Sequence, residues 1–403
     1  RLAVIGMPEA IPNQELMNDP FLESSTAERF ATVFHTLALY LKLLAFPHPL
    51  THDYYPFQIP IIGWSDWRAL LSLAIHLAIG IGTLIGLKKR HLLGYAGAFY
   101  LISFSITSNL VFPIGTFMNE RFMFVPSIGF CLALAWTAQR LPARALPACL
   151  GVLLFAYSAK TVHRSFAWCN DFTLNLTDRE TSTNSARVHM TAGSAVLDRA
   201  NTLEGEEREA MLALSFECYQ RSLELYPTYR PAIFGLGTAY HAAGDKPGAI
   251  AEFAKCLHLQ PHMQTALDNI MFVANQAEKS GDVATAKRVY EALAKIPAHA
   301  FFAHIRLGQH AAKAEDYATG EAHFEEAIRL NPQSPDARND LGALRVGQGR
   351  MPEAAALFDM ASALDPTNAL FLQRAAVAWE KAGNAQKAAH ARQRLQAVGG
   401  PSR

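Results

Sequence analysis

The chain has 403 residues, of which 50% are apolar and 18% charged. That length accommodates two or more domains. Thirty-six Lys and Arg stand against 35 Asp and Glu, a net charge of +1, which excludes the bulk electrostatic footprint of a nucleic-acid partner.

The sequence opens at Arg1 with neither an initiator Met nor a signal-peptide pattern, and the expectation is a piece of something longer. Residues 1–26 read as a connecting loop rich in Pro, Asn and acid. Ser25 or Thr26, with Glu28 close behind, is positioned to cap the next helix. Residues 27–165 read as a membrane domain. Its first helix, 27–46, carries Arg29, His35 and Lys42 at intervals, so it is either a polar-lined span or an interfacial helix.

Residues 47–67 break the pattern. Four prolines, Pro47, Pro49, Pro56 and Pro60, forbid a regular helix, and Tyr54, Tyr55, Trp64 and Trp67 crowd the stretch. Two readings stay open. Tyr and Trp anchor loops at a membrane boundary, or the loop is ordered, with His52, Asp53 and Tyr54 facing a polar substrate. Apolar spans follow at 69–87, 92–112, 122–138 and about 145–160. Between the second and third lies the loop 113–121, which ends in the adjacent pair Glu120 and Arg121. Charges between two spans sit near a bilayer boundary and are costly unless hydrated or paired. The pair either anchors the loop at the headgroups or serves a site.

Basic turns prefer the cytoplasmic side, which places 88–91 and 140–144 inside. The loops 47–67 and 113–121 then share the outer side. The chain reads as a multi-pass membrane protein whose C-terminal part is luminal, periplasmic or extracellular. Asn175-Leu176-Thr177 fits an N-glycosylation acceptor on that side. The five cysteines, Cys131, Cys149, Cys169, Cys218 and Cys256, include no close pair of metal-ligand type. Buried free thiols and no metal site are expected.

Residues 166–183 read as a linker. From 184 to 398, Ala-rich helical pairs take over, with a short disordered tail at 399–403. Prolines are expected to close successive units at Pro227, Pro261, Pro297, Pro332 and Pro366, at spacings of 34, 36, 35 and 34. A tetratricopeptide repeat has a period of 34. The unit from Arg230 shows Leu236, Gly237, Tyr240, Gly244, Ala249 and Phe253 in phase with the unit near Pro335, which has Gly342, Gly349, Ala354 and Phe358. About six units are expected, the first of them, 184–226, degenerate and carrying a long inter-helix insertion. Such a series stacks into a solenoid with a concave face. It either holds a peptide or protein, or packs only on its neighbours.

The runs Leu43 to Tyr54, Gln58-Ile59-Pro60, and Asn119-Glu120-Arg121 through Phe124-Val125-Pro126-Ser127-Ile128-Gly129-Phe130 resemble the transmembrane and tetratricopeptide-repeat O-mannosyltransferases. The order of a multi-span part followed by repeats is similar too. The resemblance implies an all-α fold: a polytopic transmembrane bundle, the C-terminal part of a GT-C-like fold, followed by a tetratricopeptide-repeat solenoid. It implies a glycosyltransferase that moves mannose from a polyprenyl-phosphate carrier to Ser or Thr of an extracytoplasmic protein presented by the repeats. Partners would be the lipid-linked donor, the acceptor and membrane lipids.

The family's usual catalytic acid lies in an early outer loop near the first span, and no residue here is assigned to it. What carries over is the loop around Asp53 and Tyr54 and the Glu120-Arg121 pair. His52 stands where a small or acidic residue is expected, and Tyr55 where Ser is common. Arg121 would contact the carrier phosphate, with His52 and Tyr54 alongside, while Glu120 and Asp53 would shape the site or help orient the acceptor, a carboxylate there serving either as base or as part of the arginine's ion pair. Inversion at the sugar carbon would need one base. Two other classes compete: a membrane-anchored repeat protein that binds without catalysis, and a polyprenyl-linked glycan ligase.

Overall fold

A computed structural model describes residues 16–17 and 19–398. Most of the expected connecting loop, and the tail 399–403, lie outside the described residues. Among the described residues all regular structure is helical. The chain divides into two compact units, residues 1–235 and 236–403, and each is described by itself.

The first unit contains α1 (Thr26–Ala45), α2 (Trp67–Lys88), α3 (Leu92–Ser105), a 3-10 turn (Glu120–Met123), α4 (Ser127–Ala138) and α5 (Leu146–Ala167). It continues through α6 (Asp171–Thr181), α7 (Ala186–Ala200) and α8 (Gly205–Leu225) into α9 (Arg230–Ala242). Ser25 caps α1 in a reciprocal capping box: its hydroxyl accepts from the Glu28 N–H at 3.3 Å, and the Glu28 carboxylate accepts from the Ser25 N–H at 2.9 Å.

Val33, Leu37 and Tyr40 of α1 form a core with Tyr100 and Phe104 of α3 and with Phe117 and Met118 of the following loop. Thr32 is buried, and its hydroxyl is paired with both backbone groups of Ile62, while Arg29 donates to the Asn109 carbonyl at 3.3 Å. Arg29 and Thr32 of α1 thus bond inward to loops.

Among the described residues two helices, α2 and α5, are long and apolar enough to cross a membrane; each has 22 residues, or about 33 Å of helix. The helices α3 and α4 are apolar but have 14 and 12 residues. The expected spans 92–112 and 122–138 are therefore too long. α3 stops because Asn109, at φ +60°, takes over the backbone beyond it. Its amide donates to the Thr116 carbonyl at 2.7 Å, and its carbonyl oxygen accepts from the Ile114 N–H at 2.9 Å. α4 cannot start earlier because the chain first makes the 3-10 turn and then meets Pro126. α2 and α3 run antiparallel across a short turn, and a Cβ on Gly94 would lie 2.4 Å from the Gly86 carbonyl carbon.

The second unit holds the rest of α9, then α10 (Lys246–Leu259), α11 (Gln264–Ser280), α12 (Val283–Ala294), α13 (Pro297–Lys313), α14 (Tyr317–Leu330), α15 (Pro335–Gly347), α16 (Met351–Leu364), α17 (Ala369–Lys381) and α18 (Ala385–Val398). Including α7 and α8, six helical pairs are described. Within most pairs a residue with positive φ ends the first helix: Gly244, Gly281, Glu315, Gly349 and Gly383. In three of them the next residue, Asp245, Asp282 or Asp316, caps the second helix with its carboxylate. Gly308 and Gly342 allow Phe324 and Phe358 to lie flat on the preceding helix; a Cβ would meet those rings at 2.6 and 2.7 Å.

Two expectations about the repeats are corrected. The first pair is regular: α7 and α8 are joined by only Asn201–Glu204, because the polar stretch Gly205 to Glu209 belongs to a long second helix of 21 residues. Pro297 opens α13 at its first turn instead of closing a unit, since a missing N–H is harmless there.

The five cysteines are free, but only Cys218 and Cys256 are buried. Cys131, Cys149 and Cys169 are exposed, on or beside the apolar helices α4 and α5. Asn175, expected as a glycan acceptor, is buried within α6, and its amide donates to the Asp171 carbonyl at 2.8 Å, so its nitrogen is not presented to solvent.

Candidate functional site

The loop 47–67 is ordered by hydrogen bonds made to residues far away in sequence. The Thr51 N–H donates to Glu120 Oε1 at 2.7 Å, and the Tyr54 hydroxyl donates to the same oxygen at 2.9 Å. The two loops singled out in the sequence are therefore clasped by one carboxylate. Asn119, next to it, receives the Tyr40 hydroxyl on its carbonyl at 3.2 Å, and its amide reaches the His52 carbonyl at 3.4 Å. The 3-10 turn explains why Glu120 faces inward: Asn119 caps it through the Arg121 N–H.

Arg121 points the other way. It is exposed, its guanidinium lies 5.5 Å from the Phe122 ring centroid, and it forms no ion pair with Glu120. Sequence neighbours are thus split into a half-buried acid and a free surface cation. Burial pushes the Glu120 carboxyl above its ordinary range, against the opposing pull of the Thr51 N–H and the Tyr54 hydroxyl. Burial and the nearby Glu120 charge likewise raise the Tyr54 phenol.

Asp53 is buried, at 8% exposure, and serves a different neighbourhood. Its Oδ2 accepts from the Tyr55 N–H at 2.9 Å and from the Ser185 hydroxyl at 3.0 Å, while Arg187 stands 3.5 Å from Oδ1. Arg187 also covers the Tyr55 ring at 4.7 Å. The Ser182 hydroxyl lies 2.7 Å from that of Thr51 and 3.0 Å from the Asp53 carbonyl. The Gln58 amide donates to the Thr181 carbonyl at 3.1 Å, and its oxygen accepts from the Asn184 N–H at 3.0 Å. The loop is thus sewn to the junction of α6 and α7.

His52 is held by Asp178 of α6, which is fully buried. The His52 N–H donates to Asp178 Oδ2 at 2.7 Å, and its ring Nδ1 lies at the same distance. Arg164, at the end of α5, grips both oxygens of the same carboxylate. Burial alone would raise the Asp178 carboxyl; the bonds from His52 and Arg164 overcome it and hold the group down at about 2.

The structure therefore brings Tyr54 onto Glu120, turns the His52 ring to Asp178 and the Asp53 carboxylate to Ser185 and Arg187, and leaves Arg121 facing solvent. Sequence reasoning missed Asp178, Arg164, Ser182, Ser185 and Arg187. Residues 166–183, expected to link two parts, contain α6 and supply the acid that orients His52. A basic residue ending an apolar helix reads as a headgroup anchor, and an acid in a short polar helix reads as solvated. No spacing rule joins His52 to an acid 126 positions on. Among the described residues no cluster of three or more His, Cys, Asp or Glu is arranged to hold a metal.

This chain is similar to proteins whose names state an activity. Protein O-mannosyl-transferase Tmtc3 of Drosophila melanogaster is 24% identical over 68% of this chain and 33% of its own length. Protein O-mannosyl-transferase TMTC3 of Homo sapiens is 21% identical over 94% of this chain and 43% of its own. Protein O-mannosyl-transferase TMTC1 of Mus musculus is 29% identical over 52% and 23%. The chain thus spans less than half the length of these curated relatives. The Tetratricopeptide repeat family model matches residues 305–369, which cover α14, α15 and α16 with their flanks. A solved structure, the crystal structure of MamA protein, is 16% identical and covers 52% of this chain and 91% of its own, with a TM-score of 0.25; a likeness at that score carries no argument.

Proposed function

We propose that this chain is part of a membrane glycosyltransferase that moves a sugar, mannose, from a polyprenyl-phosphate carrier to Ser or Thr hydroxyls of an extracytoplasmic protein. The observation that carries this reading is the clasp at Glu120. A half-buried carboxylate, raised above its ordinary range and held by Thr51 and Tyr54, joins the two loops that also carry the sequence resemblance. The similarity to O-mannosyl-transferases supports it.

In this reading Glu120 takes the proton from the acceptor hydroxyl as its oxygen attacks the sugar C1. The bond from C1 to the carrier phosphate breaks, the configuration at C1 inverts, and the phosphate leaves with the lipid. Arg121, exposed and without an acidic partner among the described residues, meets the developing phosphate charge. Asp53 acts through Tyr55 and Ser185 to fix the loop, and His52 is held in place by Asp178. The helical repeats present the acceptor polypeptide.

The test uses the full-length protein with radiolabelled polyprenyl-phosphate mannose and candidate acceptor proteins. Label on Ser or Thr, released by β-elimination, is the expected result. Label on a glycan acceptor would favour a ligase, and binding of acceptor without any label would favour a scaffold.

A further inference from the structure

A cavity of about 420 Å³ opens beside the clasp, bounded by the His48-Pro49-Leu50 corner, the end of α5 and one face of α6. His48, Lys160, His163 and Arg164 line it, together with threonines of α6, and among the described residues no carboxylate does. The charges are not equivalent. Arg164 is neutralised by the buried Asp178. Lys160 is not: its ammonium lies 3.1 Å from His48 Nδ1, so its partner is an imidazole and not a carboxylate. Among the described residues neither Lys160 nor His163 forms an ion pair with an acid.

A helix C-terminus favours cations in its last turn. That accounts for Arg164, but Lys160 sits about two turns from the end of α5. Phe166, itself exposed, lines the cavity, and α5 exposes Leu154, Phe155 and Val162 along a helix long and apolar enough to cross a membrane. A positive pocket at the end of such a helix, with an apolar track leading to it, has the shape of an amphiphile's headgroup site.

We propose that this cavity binds the phosphate group of a membrane amphiphile, with Lys160 as the charge that holds it and His163 as a further donor. The apolar chain of the ligand lies along α5. This inference rests on reading α5 as a membrane-crossing helix, and it stands whether or not the chain transfers sugar.

Native mass spectrometry of the full chain in neutral detergent micelles tests it, with phosphatidic acid, diacylglycerol and a polyprenyl phosphate as probes. The wild type should retain phosphatidic acid and polyprenyl phosphate over diacylglycerol by about tenfold or more, and Lys160→Glu should abolish that preference. Arg144→Glu, in a basic turn elsewhere, should leave it intact. If Lys160→Glu lowers the melting temperature, the pair Lys160→Gln and His163→Ala replaces it. Equal retention of phosphatidic acid and diacylglycerol, or an unchanged preference in the folded Lys160 variants, overturns the proposal. Displacement of bound phosphatidic acid by millimolar inorganic phosphate as readily as by the lipid would also overturn it, since the ligand would then be a free anion. Because no turnover is measured, failure here is separate from failure of the transferase reading.

Discussion

Glu120 is half-buried and Asp178 fully buried, and the surroundings of these two carboxylates push them in opposite directions. Asp178 gains more from His52 and Arg164 than it loses to burial, so its folded value lies near 2, below the ordinary 3.8. A depressed acid adds stability above its unfolded value and loses it as the pH falls through the folded one. Asp178→Asn should therefore cost about 2 kcal/mol near neutral pH, and the gap to wild type should close between about pH 4 and pH 2. Urea unfolding across that range reads this directly.

Glu120 is raised, so its protonated form is the one that favours folding; its contribution is present below the unfolded value and lost as the pH rises through the folded one. Glu120→Gln keeps an oxygen for Thr51 and Tyr54 and removes the buried charge. It should change stability by less than about 1 kcal/mol at neutral pH, or raise it, while removing the base. Separate outcomes of this kind distinguish a residue held for chemistry from one held for structure.

At the level of single helices, one turn stands apart. Within the five helical pairs from α9–α10 to α17–α18, four turns put glycine at positive φ, but the turn between α13 and α14 puts Glu315 at φ +59°. A side chain there pays the steric cost of the left-handed region without a compensating bond. Glu315→Gly should stabilise the chain by about 0.5–1 kcal/mol, seen as a higher urea midpoint at constant slope. Gly342→Ala should act the opposite way. Its Cβ would meet the Phe358 ring at 2.7 Å, and overpacking of that kind costs about 1–3 kcal/mol.

The repeats were legible in the sequence because their period is long, and small and aromatic residues recur in phase with it. The ends of α3 and α4 were not, because hydropathy reports burial in lipid or protein alike and says nothing of where Asn109 or Pro126 breaks the helix. The clasp was half legible. Both loops stood out by their prolines and charges, but the inward turn of Glu120 away from Arg121 depends on the cap at Asn119, and Asp178 carries no local mark at all.

For the molecule as a whole, α2 and α5, each long and apolar enough to cross a bilayer, support membrane association. The chain should stay in the membrane pellet after alkaline carbonate extraction; release into the supernatant would show that these helices do not cross a bilayer.

The central claim is that Glu120, clasped between two loops, works with the exposed Arg121 on a lipid-borne sugar. It is tested most directly by measuring labelled mannose transfer from polyprenyl phosphate by full-length wild type, Glu120→Gln and Arg121→Ala, each checked for an unchanged melting temperature. The account predicts that each variant loses about a hundredfold or more in rate. Transfer at the wild-type rate in either folded variant would contradict it.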